Sequence, residues 1–164
     1  MARVQGEPPV TPSLLDRLVD TEPGSEVEAP LTRAQSVRQL KASLKRDLEW
    51  LLNTRRTIEE ATGTSGLERS LHNYGLPDFT GLSLRSTRDQ QRLLKIVEAT
   101  VAAFEPRITG LRVAMQPVPE NARLLRFLIE GMLRIDPAPE RVSFDTVLEL
   151  TSGQYQIRGE PSAR

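Results

Sequence analysis

At 164 residues, with 22 basic against 22 acidic side chains and no cysteine, the chain is sized for one compact domain with loose ends. Balanced charge gives no global pull toward nucleic acid or anionic lipid, and the missing thiols exclude disulfides, a thiolate nucleophile and a cysteine-held metal. No apolar run approaches the roughly 18 residues of a membrane span, and the N-terminus lacks the apolar core of a secretory leader, so a soluble, cytoplasmic protein is expected.

Residues 1–31 read as an acidic, proline-rich tail. "GEPPVTP" and "TEPGSEVEAP" are too rich in proline, glycine and acid to pack. Between them, "SLLDRLVD" puts Leu14, Leu15, Leu18 and Val19 on one helical face, with Ser13 as N-cap. A short amphipathic helix on a tether docks on its own domain or on a partner, and both readings stay open. Residues 32–158 form the folded domain, and 159–164 a short C-terminal tail.

"SVRQLKASLKRDLEWLLNTRR" is the first strong helix. Ser36 and Gln39 have the spacing of a capping box. Val37, Leu40, Leu44, Leu48 and Leu51 form one stripe at intervals of three and four. Its basic residues are interrupted by Asp47 and Glu49 and lack aromatic stacking partners, which fits a solvated face better than a nucleic-acid surface. Trp50 lies beside the stripe and is expected to be partly buried. "LERSLHNYGLPDFTGLSL" should give a short helix stopped at Gly75. "STRDQQRLLKIVEATVAAFEP" predicts a second long helix, with Ser86 and Asp89 at its start. Its stripe is Leu93, Val97, Val101 and Phe104, and Pro106 ends it, leaving Glu105 extended.

Beyond that corner the period becomes two. Leu111, Val113 and Met115 alternate in "GLRVAMQ". Leu125, Phe127, Ile129, Leu133 and Ile135 form one row, with Leu124, Leu128 and Met132 opposite. Val142, Phe144, Leu148 and Leu150 form another, then Tyr155 and Ile157. These predict an α+β fold, with helices packed on one face of an antiparallel meander of about four strands. The final strand, Tyr155–Gln156–Ile157, is expected at an open sheet edge able to receive another chain's strand, with 141–150 as the next candidate.

Catalytic templates fail. There is no phosphate-cradling glycine loop and no nucleophile elbow. His72 is the single histidine and reads as a helix-end residue set against the dipole. A peptidoglycan-cleaving glycosidase would need Glu105 as acid and Asp136 or Asp145 as second carboxylate. Against it, an extended Glu105–Pro106–Arg107 puts the guanidinium beside the carboxylate, and the chain offers little aromatic surface for sugars. The charged corner is then either a local clamp or a surface presented to a partner. As an exposed pair it would add only about 0–1 kcal/mol, so losing Arg107 should weaken assembly more than folding.

"RDLEWLLNTRR", "NYGLPDF" and "FEPRI", in this order and spacing, resemble the TssE family of baseplate wedge proteins in bacterial type VI secretion systems. That family is similar to the sheath-initiating wedge protein of contractile phage tails, long labelled lysozyme-like. The resemblance spans roughly residues 13–157. It implies a structural protein with no enzymatic role and no cofactor, seated in the baseplate on the cytoplasmic side of the inner membrane. It implies partners among other wedge subunits (TssF, TssG, TssK) and sheath proteins (TssB, TssC), with no nucleic acid and no direct membrane insertion. By the same resemblance Glu105, Pro106 and Arg107 contact neighbouring wedge subunits. Tyr155, Gln156 and Ile157 are then the candidate sheath-docking edge, and Leu14, Leu15 and Leu18 the candidate docking helix.

Overall fold

The computed structural model describes residues 9–19, 31–56, 70–79, 81–83, 86–119 and 122–159. Among these residues it is α+β: three α-helices and a four-stranded antiparallel sheet in the order β1-β2-β3-β4. By internal contacts the chain forms two units, Met1–Arg46 and Asp47–Arg164.

The first unit holds α1 (Leu14–Leu18) and most of α2 (Arg33–Asn53). α2 starts one turn before the expected cap. The box is built by Thr32 and Gln35: Gln35 Oε1 accepts from Thr32 N at 2.9 Å, and Thr32 Oγ1 from Gln35 N at 3.3 Å. Thr32 in front of a long helical run offers the same hydroxyl-x-x-glutamine chemistry as Ser36, and the earlier one wins. Ser36 lies inside the helix, where its hydroxyl donates to the Arg33 carbonyl at 2.8 Å.

The second unit carries the sheet. α3 (Thr87–Phe104) buries Leu93, Val97 and Val101 as its period requires. Ser86 is its N-cap, but its hydroxyl makes no capping bond; Asp89 instead accepts from the Ser83 N–H at 3.0 Å. Among the described residues before Gly75 a 3₁₀ turn forms, Leu71–Asn73, with His72 exposed in it. The rest of the expected helix lies outside the described residues.

The strands are β1 (Ile108–Gln116), β2 (Leu124–Leu133), β3 (Glu140–Glu149) and β4 (Tyr155–Ile157). Leu125, Phe127, Ile129 and Leu133 of β2 are buried, as are Val142, Phe144 and Leu148 of β3 and Tyr155 and Ile157 of β4. Leu150 breaks its row. β3 has ended by then, and the side chain is exposed in the following turn. A β-bulge sets Gly110 and Leu111 against Gly131, with Gly110 at φ +61°; the extra residue tightens the local twist at the start of the edge strand. β3 sits between β2 and β4, so the stretch 141–150 is no edge. The two edges are β1 and β4.

Candidate partner-binding site

The corner after α3 is closed from within. Glu105 caps the helix, its N–H bonding the Val101 carbonyl at 2.8 Å, and its own carbonyl accepts from Ile108 N at 3.2 Å. Its side chain turns inward, leaving the residue 5% exposed. Arg107 reaches back as a planar fork: Nε to Glu105 Oε1 at 2.6 Å and Nη2 to Oε2 at 2.5 Å. The same Nη2 meets Asp47 Oδ2 of α2 at 2.6 Å. The two carboxylates hold the guanidinium's pKa above its ordinary value, the hydrogen bonding that Arg107 donates to Glu105 contributing most. The clamp reading of this pair is what the fold displays, with Glu105 buried and Arg107 half-buried. Sequence reasoning placed Glu105 and Arg107 together but missed Asp47, 60 positions upstream. The only trace of it was an acid beside the apolar stripe of a basic helix.

Tyr74 completes the corner. Its ring meets Phe104 edge-on at 5.4 Å. Burial, then the negative charges of Asp47 and Glu105, push its hydroxyl pKa up. So the three sequence segments that carried the family resemblance, separated along the chain, converge here.

Two further joints lie within the second unit, at and just beyond the C-terminal end of α2. Leu76 N donates to the Thr54 carbonyl at 2.8 Å, and Arg56 N to the Leu76 carbonyl at 3.0 Å. Gly75, at φ +104°, makes that approach possible: a Cβ there would sit 2.4 Å from the Thr54 oxygen. Arg55 lies over the Phe79 ring, 4.0 Å from its centroid, and donates to the Gly153 carbonyl at 3.3 Å.

The second joint reaches β4. Asn53 accepts from Tyr155 N and donates to the Tyr155 carbonyl, both at 2.9 Å, and Glu49 accepts from Ile157 N at 3.0 Å. These are the groups that β4 turns away from β3, because strand backbones alternate. The expected open edge is therefore covered by α2 side chains that mimic a neighbouring strand. β1 differs. Arg107 and Arg134 open its ladder, which by alternation directs the backbone of Arg112, Ala114 and Gln116 to β2 and that of Val113 and Met115 outward. Among the described residues those outward groups of Val113 and Met115 have no hydrogen-bond partner.

The remaining sequence-predicted residues sit apart. Leu14, Leu15 and Leu18 of α1 are exposed. Trp50 is 52% exposed, less covered than expected. Asp145, offered as a second catalytic carboxylate, is held by Arg126 through both oxygens at 2.7 and 2.5 Å. Asp136 lies exposed between β2 and β3.

Side chains thus clasp the chain's own joints, and among the described residues the outward backbone groups of Val113 and Met115 on the β1 edge are unpaired. Residues 38–138 match the family described as baseplate wedge protein gp25. The chain belongs to that family, which is also the family of TssE and one of structural baseplate proteins. The match takes in the clamp, Gly75, β1 and β2, and stops before β3 and β4. No curated protein matches the chain. No solved structure matches it either.

Proposed function

We propose that this chain is a non-enzymatic subunit of a type VI secretion baseplate, on the cytoplasmic side of the inner membrane. There it joins the wedge subunits TssF, TssG and TssK to the first ring of contractile sheath, TssB and TssC, and helps to start sheath assembly. The observation that carries the reading is membership of the baseplate wedge family. Among the described residues, no helix is long and apolar enough to cross a membrane, which fits a subunit held by its neighbours.

The geometry supports a division of labour. Glu105 and Arg107 give the wedge-facing corner a fixed shape, and exposed Pro106 with the open side of Arg107 offers the contact. Leu14, Leu15 and Leu18 add an apolar contact elsewhere. For the sheath, β1 is the better docking edge, since its outward backbone groups are unpaired and an incoming strand would satisfy them. Docking on Tyr155, Gln156 and Ile157 would first have to displace Glu49 and Asn53. A glycosidase is poorly served. Glu105 is buried with both oxygens engaged by Arg107, and both oxygens of Asp145 are engaged by Arg126.

The test is reconstitution with purified wedge and sheath proteins, scored for sheath nucleation with and without this chain, alongside a peptidoglycan turnover assay with Glu105→Gln as control. Nucleation that needs the chain, with no turnover, is the expected result. Glu105-dependent turnover, or sheath forming equally well without the chain, overturns the proposal.

A further inference from the structure

α1 is turned inside out. A short amphipathic helix ordinarily buries its apolar side, yet no residue of α1 is buried. Leu14 is 71% exposed and Leu18 74%. What faces the first unit is Asp16, whose side chain is only 9% exposed. Its Oδ1 lies 2.8 Å from Arg46 Nη2 of α2, and its Oδ2 accepts the Ser13 hydroxyl at 2.5 Å. Burial alone would raise the Asp16 pKa; the hydrogen bond from Ser13 and the Arg46 guanidinium help to outweigh it and hold the carboxyl below its ordinary value. One step upstream, Val10 N donates to the Ser36 hydroxyl at 2.9 Å. Ser36 and Ser43 are both buried, seven positions and so two turns apart on one face of α2. That face is a short polar track carrying the segment 9–19.

We propose that residues 9–19 form a strap, pinned to α2 by the Asp16–Arg46 pair, that opens without unfolding the rest of the chain and, when closed, aims Leu14, Leu15 and Leu18 outward as a set. The Arg46 side chain is 35% exposed, so solvent screens the pair, and α1 has no buried apolar side chain to reinforce it. Such an element opens locally, well below the free energy of global unfolding. Asp16 acts as a positioning residue. It fixes the helix orientation through its inward carboxylate, and the leucines point away because Asp16 points in.

The chain has no cysteine, so Leu18→Cys in the full-length protein takes a single spin or fluorescent label at an exposed position. Local motion of the label is compared in three backgrounds: Asp16→Asn, Arg46→Gln and the double variant. Each single change should raise the amplitude of label motion about twofold, while Tm stays within about 2 °C of the parent. The double change should add nothing beyond the larger single effect, because both remove one pin. Unchanged label motion in Asp16→Asn refutes the pin. A Tm that falls by more than about 5 °C together with the rise in motion refutes the strap, since α1 would then be part of the cooperative core. Additive effects of the two substitutions refute the pairing.

Discussion

Replacing Arg107 with alanine is expected to cost folding stability as well as assembly. Were the Glu105–Arg107 pair exposed, its loss would cost about 0–1 kcal/mol. Breaking a fully buried pair from one side costs about 3–5 kcal/mol, because a charge is left without compensation. The corner lies between these limits. The Glu105 side chain is 7% exposed, that of Arg107 27%, and that of Asp47 23%. In Arg107→Ala, Glu105 keeps only a long contact to the backbone N–H of residue 107, 3.3 Å in the parent, and Asp47 loses its guanidinium. An intermediate value of about 2–3 kcal/mol follows, which for a chain of this size lowers Tm by roughly 4–12 °C. Urea and thermal unfolding can be followed through Trp50, the single tryptophan. Arg107→Lys keeps the charge but not the fork and should lose about half as much. A double-mutant cycle of Glu105→Gln with Arg107→Met should show coupling above about 1 kcal/mol. A loss below about 1 kcal/mol with no coupling would return the pair to the status of an ordinary surface bridge. Any loss of wedge binding is to be judged on the folded fraction, so that contact and clamp are separated.

Gly75→Ala is expected to destabilise by about 2–4 kcal/mol, from strain at positive φ and disruption of the Thr54–Leu76 backbone bond; a change below about 1 kcal/mol in urea unfolding would mean that the approach relaxes freely. The Tyr155 hydroxyl is buried and, among the described residues, has no hydrogen-bond partner, and burial pushes its pKa far up. Tyr155→Phe should therefore leave stability unchanged or raise it by about 1 kcal/mol, and a loss of that size by calorimetry would contradict the orphaned hydroxyl. Proline should discriminate between the edges. Val113→Pro, at an unpaired outward N–H, should be mild for folding and block sheath nucleation. Ile157→Pro removes the bond to Glu49, and Gln156→Pro removes a ladder bond to β3, so both should lower Tm. Normal nucleation on folded Val113→Pro protein would rule out β1 as the docking edge.

What the sequence determined by itself was the long elements and most of their buried faces. Periods of 3.6 and 2 are properties of a single segment, so Leu93–Val97–Val101 and Phe127–Ile129 announced their burial without reference to any other part of the chain. Pro106 likewise ended α3 by local sterics. Glu105 and Arg107 were legible as a pair because they are two residues apart on an extended corner. Tertiary structure decided whatever depended on a partner distant in sequence. Asp47 became the third member of the clamp only when the C-terminal end of α2, from Asp47 on, was laid beside the corner of the same unit. Glu49 and Asn53 closed the β4 edge, which read as open because a strand's own sequence does not say what lies next to it. Gly75 looked like a helix stop, and its sharper constraint, the Thr54 carbonyl where a Cβ would go, comes from a segment more than twenty positions away. The direction of α1 was decided in the same manner. Its apolar spacing marks a helix with two unlike sides, but the carboxylate of Asp16 found Arg46, and that one pair set which side faces out.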